Sequence, residues 1–172
     1  MHPGISIATF LLGTRAVYDH AHDNAAVMLR EAGFVNDPHI IRKNPKVTAI
    51  NSAVEVDITG QVCADSVGTR VISGVGGQMD FIRGASLAPQ GRAIIALPAT
   101  ALGGATSRIE ASLQEGAGVV TTRAHARTVV TEHGVAELWG RSVRERARAL
   151  ISIADPAFRE QLRAEAARLN LD

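Results

Sequence analysis

The chain's 172 residues, 46% of them hydrophobic and 20% charged, suffice for one domain with a sizeable core and fall short of two. Eighteen basic against seventeen acidic residues leave a formal charge of +1, and aromatic residues make up only 3%, which argues against nucleic-acid binding and against an anionic-membrane surface. The apolar stretches are too short to span a bilayer, residues 1–13 lack the marks of a signal peptide, and the single cysteine, Cys63, excludes an internal disulfide and a CxxC site; the expectation is a reducing, cytoplasmic home without a metal centre.

Residues 5–13, "ISIATFLLG", read as a buried strand ending at Gly13. Thr14 is placed to cap a helix through Tyr18, and 23–33, "DNAAVMLREAG", resembles a second helix with Asp23 as cap and Gly33 as stop. "VNDP" is a turn. Residues 47–64 alternate, with Val54, Val56 and Ile58 on one face and Glu55 and Asp57 on the other, where acids are expected to be solvated. Thr59-Gly60-Gln61 suggests the hairpin turn. "TRVISGVGG" repeats the pattern of a strand running into glycines, and "QMDFIRGASLA" begins a helix. Residues 92–100 form a buried strand stopped by Pro98; 117–122 and 127–132 are two more β-branched runs. From Ser142 the pattern turns helical, with Ser142 and Asp155 as N-caps and Pro156 in the favoured first position. Val143, Ala147, Leu150 and Ile151 share one helical face. Strands mixed with helices make the class α/β.

The glycine loop in "SGVGGQMDFIRG" (73–84) invites comparison with known phosphate loops. A Walker-type loop needs Lys and then Ser or Thr after its last glycine, and Gln78 follows Gly77 instead. The dinucleotide fingerprint accepts Gly74 and Gly76 but finds Met79 at its sixth place. What remains is a loop leading into a helix, able to offer backbone N–H groups to an anion or a carbonyl oxygen, or serving only as a turn. Asp80 then falls in the first helical turn.

In "VVTEHGVAEL" (129–138), Glu132 and His133 directly follow a buried strand, where an open α/β sheet presents residues to its ligand. Glu132 would serve as general acid or base, or as an orienting carboxylate, if burial raised its pKa. The competing reading is a capping carboxylate at a strand-to-helix junction. His20, His22, His39 and His125 show no metal spacing, and Cys63 reads as a small buried hydrophobe.

Taken in order, "HPGISIATFLLGT", "VNDP", "INSAVEVDITGQVCADSVGTRVISGVGGQMDFIRGA", "VVTEHGVAEL" and "SVRERARALISIADPAFRE" resemble the C-terminal part of the acetyl-CoA hydrolase/transferase family, in its branch of 4-hydroxybutyrate and butyryl-CoA:acetate CoA-transferases. The resemblance implies a CoA-transferase-like α/β fold: a mixed, mostly parallel sheet flanked by helices, with a C-terminal helical segment. It implies that residues 1–172 form a single domain equivalent to one half of a full-length enzyme. It also implies ping-pong chemistry with coenzyme A or acyl-CoA as substrate, a small carboxylate as acceptor and a covalent glutamyl-CoA intermediate.

Carried over, Gly77 matches a position whose backbone lines the acyl and CoA site, with Gly74 and Gly76 shaping it. Asn36 matches an active-site amide, Glu132 an auxiliary glutamate, and Thr100 a position in contact with CoA. The family's nucleophilic glutamate lies in a stretch like "HxEMxSDG" before the segment matching "HPG", and no such stretch occurs in these residues. The expectation is a chain inactive alone, partnered by an N-terminal half or subunit, and homo-oligomeric through the surface that partner would cover. The alternatives are a stand-alone acyl-CoA-binding module, one subunit of a split transferase, or an acetyl-CoA hydrolase.

Overall fold

In the computed structural model, which describes residues 2–172, the chain opens with β1 (Ser6–Ala8), α1 (Arg15–Ala21) and β2 (Val27–Leu29), the two strands pairing in parallel with Ser6 opposite Val27. No residue from 2 to 40 is buried. Two short helices follow, α2 (Ala32–Val35) and α3 (Pro38–Ile41); Asp37 caps the second by accepting the His39 N–H at 2.7 Å, with Pro38 in the first position.

The strands that organise the rest are β3 (Thr48–Asn51), β4 (Glu55–Asp57) and β5 (Val62–Cys63), then the small hairpin of β6 (Ser66–Val67) and β7 (Arg70–Val71). Helix α4 (Gln78–Leu87) leads to β8 (Arg92–Ala96). A second small hairpin, β9 (Thr100–Ala101) and β10 (Thr106–Ser107), precedes β11 (Ile109–Glu110). The hairpin of β12 (Thr128–Thr131) and β13 (Gly134–Glu137) is followed by α5 (Val143–Ile153), a single 3-10 turn at Pro156–Phe158 and α6 (Arg159–Arg168).

The main sheet has the order β13-β12-β8-β3, with β3, β8 and β12 parallel and β13 antiparallel at one edge. Alternation sends Ala49, Ala93, Ile95, Val129 and Ala136 to one face, where they meet Ile82 and Ala85 of α4 and Ala147, Leu150 and Ile151 of α5. Each fully buried Leu or Ile in this layer contributes about 1.5–3 kcal/mol. The opposite face is uncovered: Ile50, Val135 and Trp139 are 68%, 58% and 60% exposed. Parallel sheets ordinarily bury both faces, so this one lacks a layer. A second sheet, β11-β4-β5, closes the core from the side with Val56, Ile58 and Val62.

Local sequence explains several junctions. Ser142 and Glu145 form a reciprocal capping box at the start of α5. Gly84 lets α4 rest on α3, since a Cβ there would stand 2.6 Å from the Ile41 side chain. Gly60, at φ +95°, makes the β4–β5 turn that Thr59-Gly60-Gln61 suggested.

Other expectations fail. Residues 23–33 are no helix: Asp23 turns at φ +49°, and Val27–Leu29 extend to pair with β1, a tertiary pairing that outweighs the helical propensity of "AAVML". "ISIATFLLG" contributes only three strand residues and buries none of them. Glu55 and Asp57 are buried rather than solvated, because β4 is the central strand of its sheet and both carboxylates are satisfied. Asp57 Oδ1 accepts the N–H groups of Thr59 and Gln61 at 2.9 and 3.0 Å, and Glu55 Oε1 accepts that of Gln114 at 2.9 Å. Residues 117–122 form one isolated bridge, Val62 with Thr121, instead of a strand. Val143 is exposed while its helical partners Ala147, Leu150 and Ile151 are buried.

Candidate active site

The parallel strands β3, β8 and β12 end at Asn51, Ala96 and Thr131, and the polar groups of the candidate site follow these carboxyl ends. They form two groups.

The first surrounds a cavity of about 320 Å³ bordered by the end of β1, Asn36, Asn51, Gly77 and Gln78. Asn36 terminates α2, its N–H donating to Ala32 O at 2.9 Å, which turns its carboxamide toward the start of α4. Gly77 is the N-cap of α4 with an ordinary φ of −94°, so conformational freedom is not what it supplies. It supplies space: a Cβ there would overlap Asn36 Nδ2 and stand 3.1 Å from Asn36 Cγ. The N–H groups of Gly74, Val75, Gly76 and Gly77 find no acceptor among the described residues, and the first N–H groups of α4 are orphaned by helix geometry. Gly74 and Gly76 lie in the exposed loop leading in, Gly76 at φ +63°. Gln78 is buried, its Nε2 donating to Thr121 Oγ1 at 3.1 Å. Asp80 falls in the first turn of α4.

The second group is built on the β12–β13 turn. Glu132 Oε2 accepts the Ala99 N–H at 2.8 Å, tying the turn to the residue before Thr100, which is half-buried at the start of β9. His133 Nε2 stands 3.5 Å from Asp155 Oδ2 and 4.0 Å from Glu132 Oε1. The turn is held from below: Thr131 Oγ1 donates to Ile153 O at 2.6 Å and accepts the His133 N–H at 3.1 Å. Asp155 also caps the turn before α6 through the Ala157 N–H at 2.9 Å.

Glu132 departs from expectation in two ways. It sits in a β-hairpin turn rather than at a strand-to-helix junction, and its side chain is half exposed. Its pKa is not raised by burial. Its own backbone N–H and that of Ala99 hold the carboxyl below the ordinary carboxylate range, with His133 adding to this. Glu132 is therefore a carboxylate at neutral pH, suited to orientation and not to proton donation.

Asn36 and Gly77 are brought together, with Gly74 and Gly76 beside them; Glu132 and Thr100 share a neighbour in Ala99. No hydrogen bond joins the two groups among the described residues. Asn51, Gln78 and Asp155 border these groups and were not read as site residues from sequence, whereas His133 was read there together with Glu132. Asn51 was recoverable as the last residue of a strand run, and Gln78 as the residue after the glycines; the Asp155 contact with His133 had no local signal. Among the described residues, no group of three or more His, Cys, Asp and Glu side chains is arranged to hold a metal ion, and no helix is long and apolar enough to cross a membrane.

The chain shares its family and its fold with known proteins. The family described as acetyl-CoA hydrolase/transferase C-terminal domain matches residues 13–166. The chain is 52% identical over 162 residues to the 4-hydroxybutyrate coenzyme A transferase of Clostridium kluyveri, covering 94% of this chain and 38% of that protein. The crystal structure of RipA from Yersinia pestis superposes with a TM-score of 0.92 at 38% identity, covering 98% of this chain and 38% of that one. A 4-hydroxybutyrate CoA-transferase from Porphyromonas gingivalis gives 0.82 at 36% identity, covering 98% of this chain and 38% of that one. The chain spans 34–39% of the length of the curated relatives that match it at 42% identity or more.

Proposed function

Because the chain belongs to the acetyl-CoA hydrolase/transferase C-terminal domain family, we propose that it is one domain of a CoA-transferase, moving coenzyme A between an acyl-CoA and a small carboxylate. In this reading residues 1–172 are a single domain that an N-terminal half completes, and the nucleophilic glutamate comes from outside these residues. That carboxylate attacks the thioester carbonyl and expels CoA thiolate, forming an acyl-glutamyl anhydride. The thiolate returns to the glutamyl carbonyl, releasing the donor's carboxylate and leaving glutamyl-CoA. An acceptor carboxylate then reverses the sequence.

The observation that carries the reading is the Asn36 carboxamide standing against Gly77, which has an unused N–H and borders the same cavity. The loop N–H groups suit the oxyanion that develops when the carbonyl is attacked. The Asn36 amide suits the nucleophilic carboxylate or the thioester oxygen. Glu132, kept ionised and linked to His133, orients rather than transfers a proton. Thr100, beside Ala99, is assigned to CoA contact. Coenzyme A enters as substrate, and the proposal includes no resident cofactor, a cytoplasmic setting and a homo-oligomer formed through the uncovered face of Ile50, Val135 and Trp139.

The test mixes the purified chain with acetyl-CoA and a carboxylate acceptor, with and without the N-terminal portion of the Clostridium kluyveri relative. Turnover only in the mixture is expected. Turnover by the chain alone would overturn the external nucleophile, and acyl-CoA binding without turnover in either case would favour a stand-alone binding module. A monodisperse monomer by light scattering would count against self-association.

A further inference from the structure

One ring nitrogen at the β12–β13 turn faces two carboxylates. His133 Nε2 stands 3.5 Å from Asp155 Oδ2 and 4.0 Å from Glu132 Oε1. Each carboxylate uses its other oxygen on a backbone donor: Glu132 Oε2 accepts the Ala99 N–H at 2.8 Å, and Asp155 Oδ1 accepts the Ala157 N–H at 2.9 Å. An imidazole that relays a proton takes one partner on each ring nitrogen. Here both partners share Nε2. The arrangement is a clamp, in which the ring holds two anions together instead of passing a proton between them.

The clamp is fixed at one end and open at the other. Asp155 caps the 3-10 turn that leads into α6, with Pro156 in its first position. The His133 N–H donates to Thr131 Oγ1 at 3.1 Å, and that hydroxyl donates to Ile153 O at the end of α5. The His133 and Asp155 side chains are 26% and 30% exposed, and that of Glu132 is 51% exposed. Glu132 is thus the member whose direction packing leaves open, and neighbouring polar groups must fix it.

We propose that His133 is the positioning residue of Glu132: braced on Asp155, it fixes the direction in which the Glu132 carboxylate meets the reacting centre. The Ala99 N–H holds one carboxylate oxygen and the imidazole stands over the other, so the two together select one rotamer of an otherwise solvated side chain. Asp155 never meets the reacting centre in this scheme; it acts through His133, from the junction between α5 and α6. A carboxylate displaced by about 1 Å loses up to about a hundredfold in rate, which is the scale on which such bracing acts. The proposal rests on the reading that Glu132 serves a CoA-transferase, but the clamp itself belongs to this chain and is measured without turnover.

The experiment measures side-chain NMR couplings of Glu132 and His133 in the full chain, in wild type, His133→Leu, His133→Gln and Asp155→Asn. Turnover of the same proteins is then followed with the N-terminal portion of the Clostridium kluyveri relative. Asparagine caps as well as aspartate, so Asp155→Asn keeps the turn before α6 and removes only the charge. Wild type should show one rotamer at each residue. Glu132 should average over rotamers in His133→Leu and in Asp155→Asn, and in His133→Leu its carboxyl should titrate nearer the ordinary 4.5. His133→Gln, which places an amide N–H close to the position of Nε2, should recover part of the order. In the mixture, kcat should fall about tenfold or more in His133→Leu and Asp155→Asn, with KM for acyl-CoA kept within about twofold and partial rescue in His133→Gln. A single Glu132 rotamer that survives His133→Leu or Asp155→Asn would overturn the clamp. Equal losses in His133→Gln and His133→Leu would overturn it too, leaving the ring a packing role, and so would averaged rotamers with kcat unchanged. A wild-type mixture without turnover would count against the transferase reading, while the couplings decide the clamp either way.

Discussion

The Asn36 carboxamide occupies the space that a side chain on Gly77 would need, with Asn36 Cγ 3.1 Å from where a Cβ would stand. The two residues lie on different helices, Asn36 ending α2 and Gly77 preceding α4, so their contact reports how these helices meet.

Gly77→Ala should therefore displace Asn36 rather than strain its own backbone. The expected cost is about 1–3 kcal/mol of stability from overpacking, together with a loss of turnover in the complemented enzyme of about tenfold or more. Gly74→Ala is the control: nothing lies within 4 Å of its Cβ position and its φ is ordinary, so both quantities should stay near wild type. Thermal melts and steady-state kinetics on the two variants check this pair.

Glu132 gives a prediction in pH. Its folded pKa is lowered, by its own backbone N–H first and then by that of Ala99, so the stability it contributes is present above the unfolded value of 4.5 and is lost as pH falls through the lower folded value. Glu132→Gln should melt below wild type at pH 7, and the gap should narrow as pH falls below 4.5. A gap that stays constant across a pH series would remove the role assigned to the charge.

Glu110 behaves in the opposite sense. Burial, reinforced by the Glu55 carboxylate, raises its pKa from 4.5 to about 7. Its neutral form suits the fold, so the advantage is full below pH 4.5 and disappears as pH rises through about 7. Glu110→Gln should flatten the decline in melting temperature between pH 4.5 and about pH 7, the window set by the two pKa values. Glu110 is half-buried, which makes the effect modest. Identical pH slopes for variant and wild type would refute the assignment.

The capping box of α5 offers a test of local structure. Ser142→Ala removes the acceptor for the Glu145 N–H and one partner of the Glu145 carboxylate, and should cost about 1 kcal/mol. Because α5 supports the β12–β13 turn through the Thr131–Ile153 bond, denaturant unfolding and exchange at His133 should weaken together.

Much of this molecule was present in local sequence. The α4 start after Gly77, the strands at β8 and β12, the Gly60 turn and the caps at Ser142 and Asp155 all depend on signals within a few residues, and the ordered segments carried the family. Tertiary structure decided what local signals leave open. Val27–Leu29 became a strand because β1 lay beside it, and Glu55 and Asp57 were buried because β4 was flanked on both sides and backbone donors satisfied their charges. The Glu132 carboxyl is held low by its own backbone N–H and then by that of Ala99, thirty-three positions away. Burial and hydrogen bonding are properties of what packs against a residue, and that was set by contacts distant in the chain.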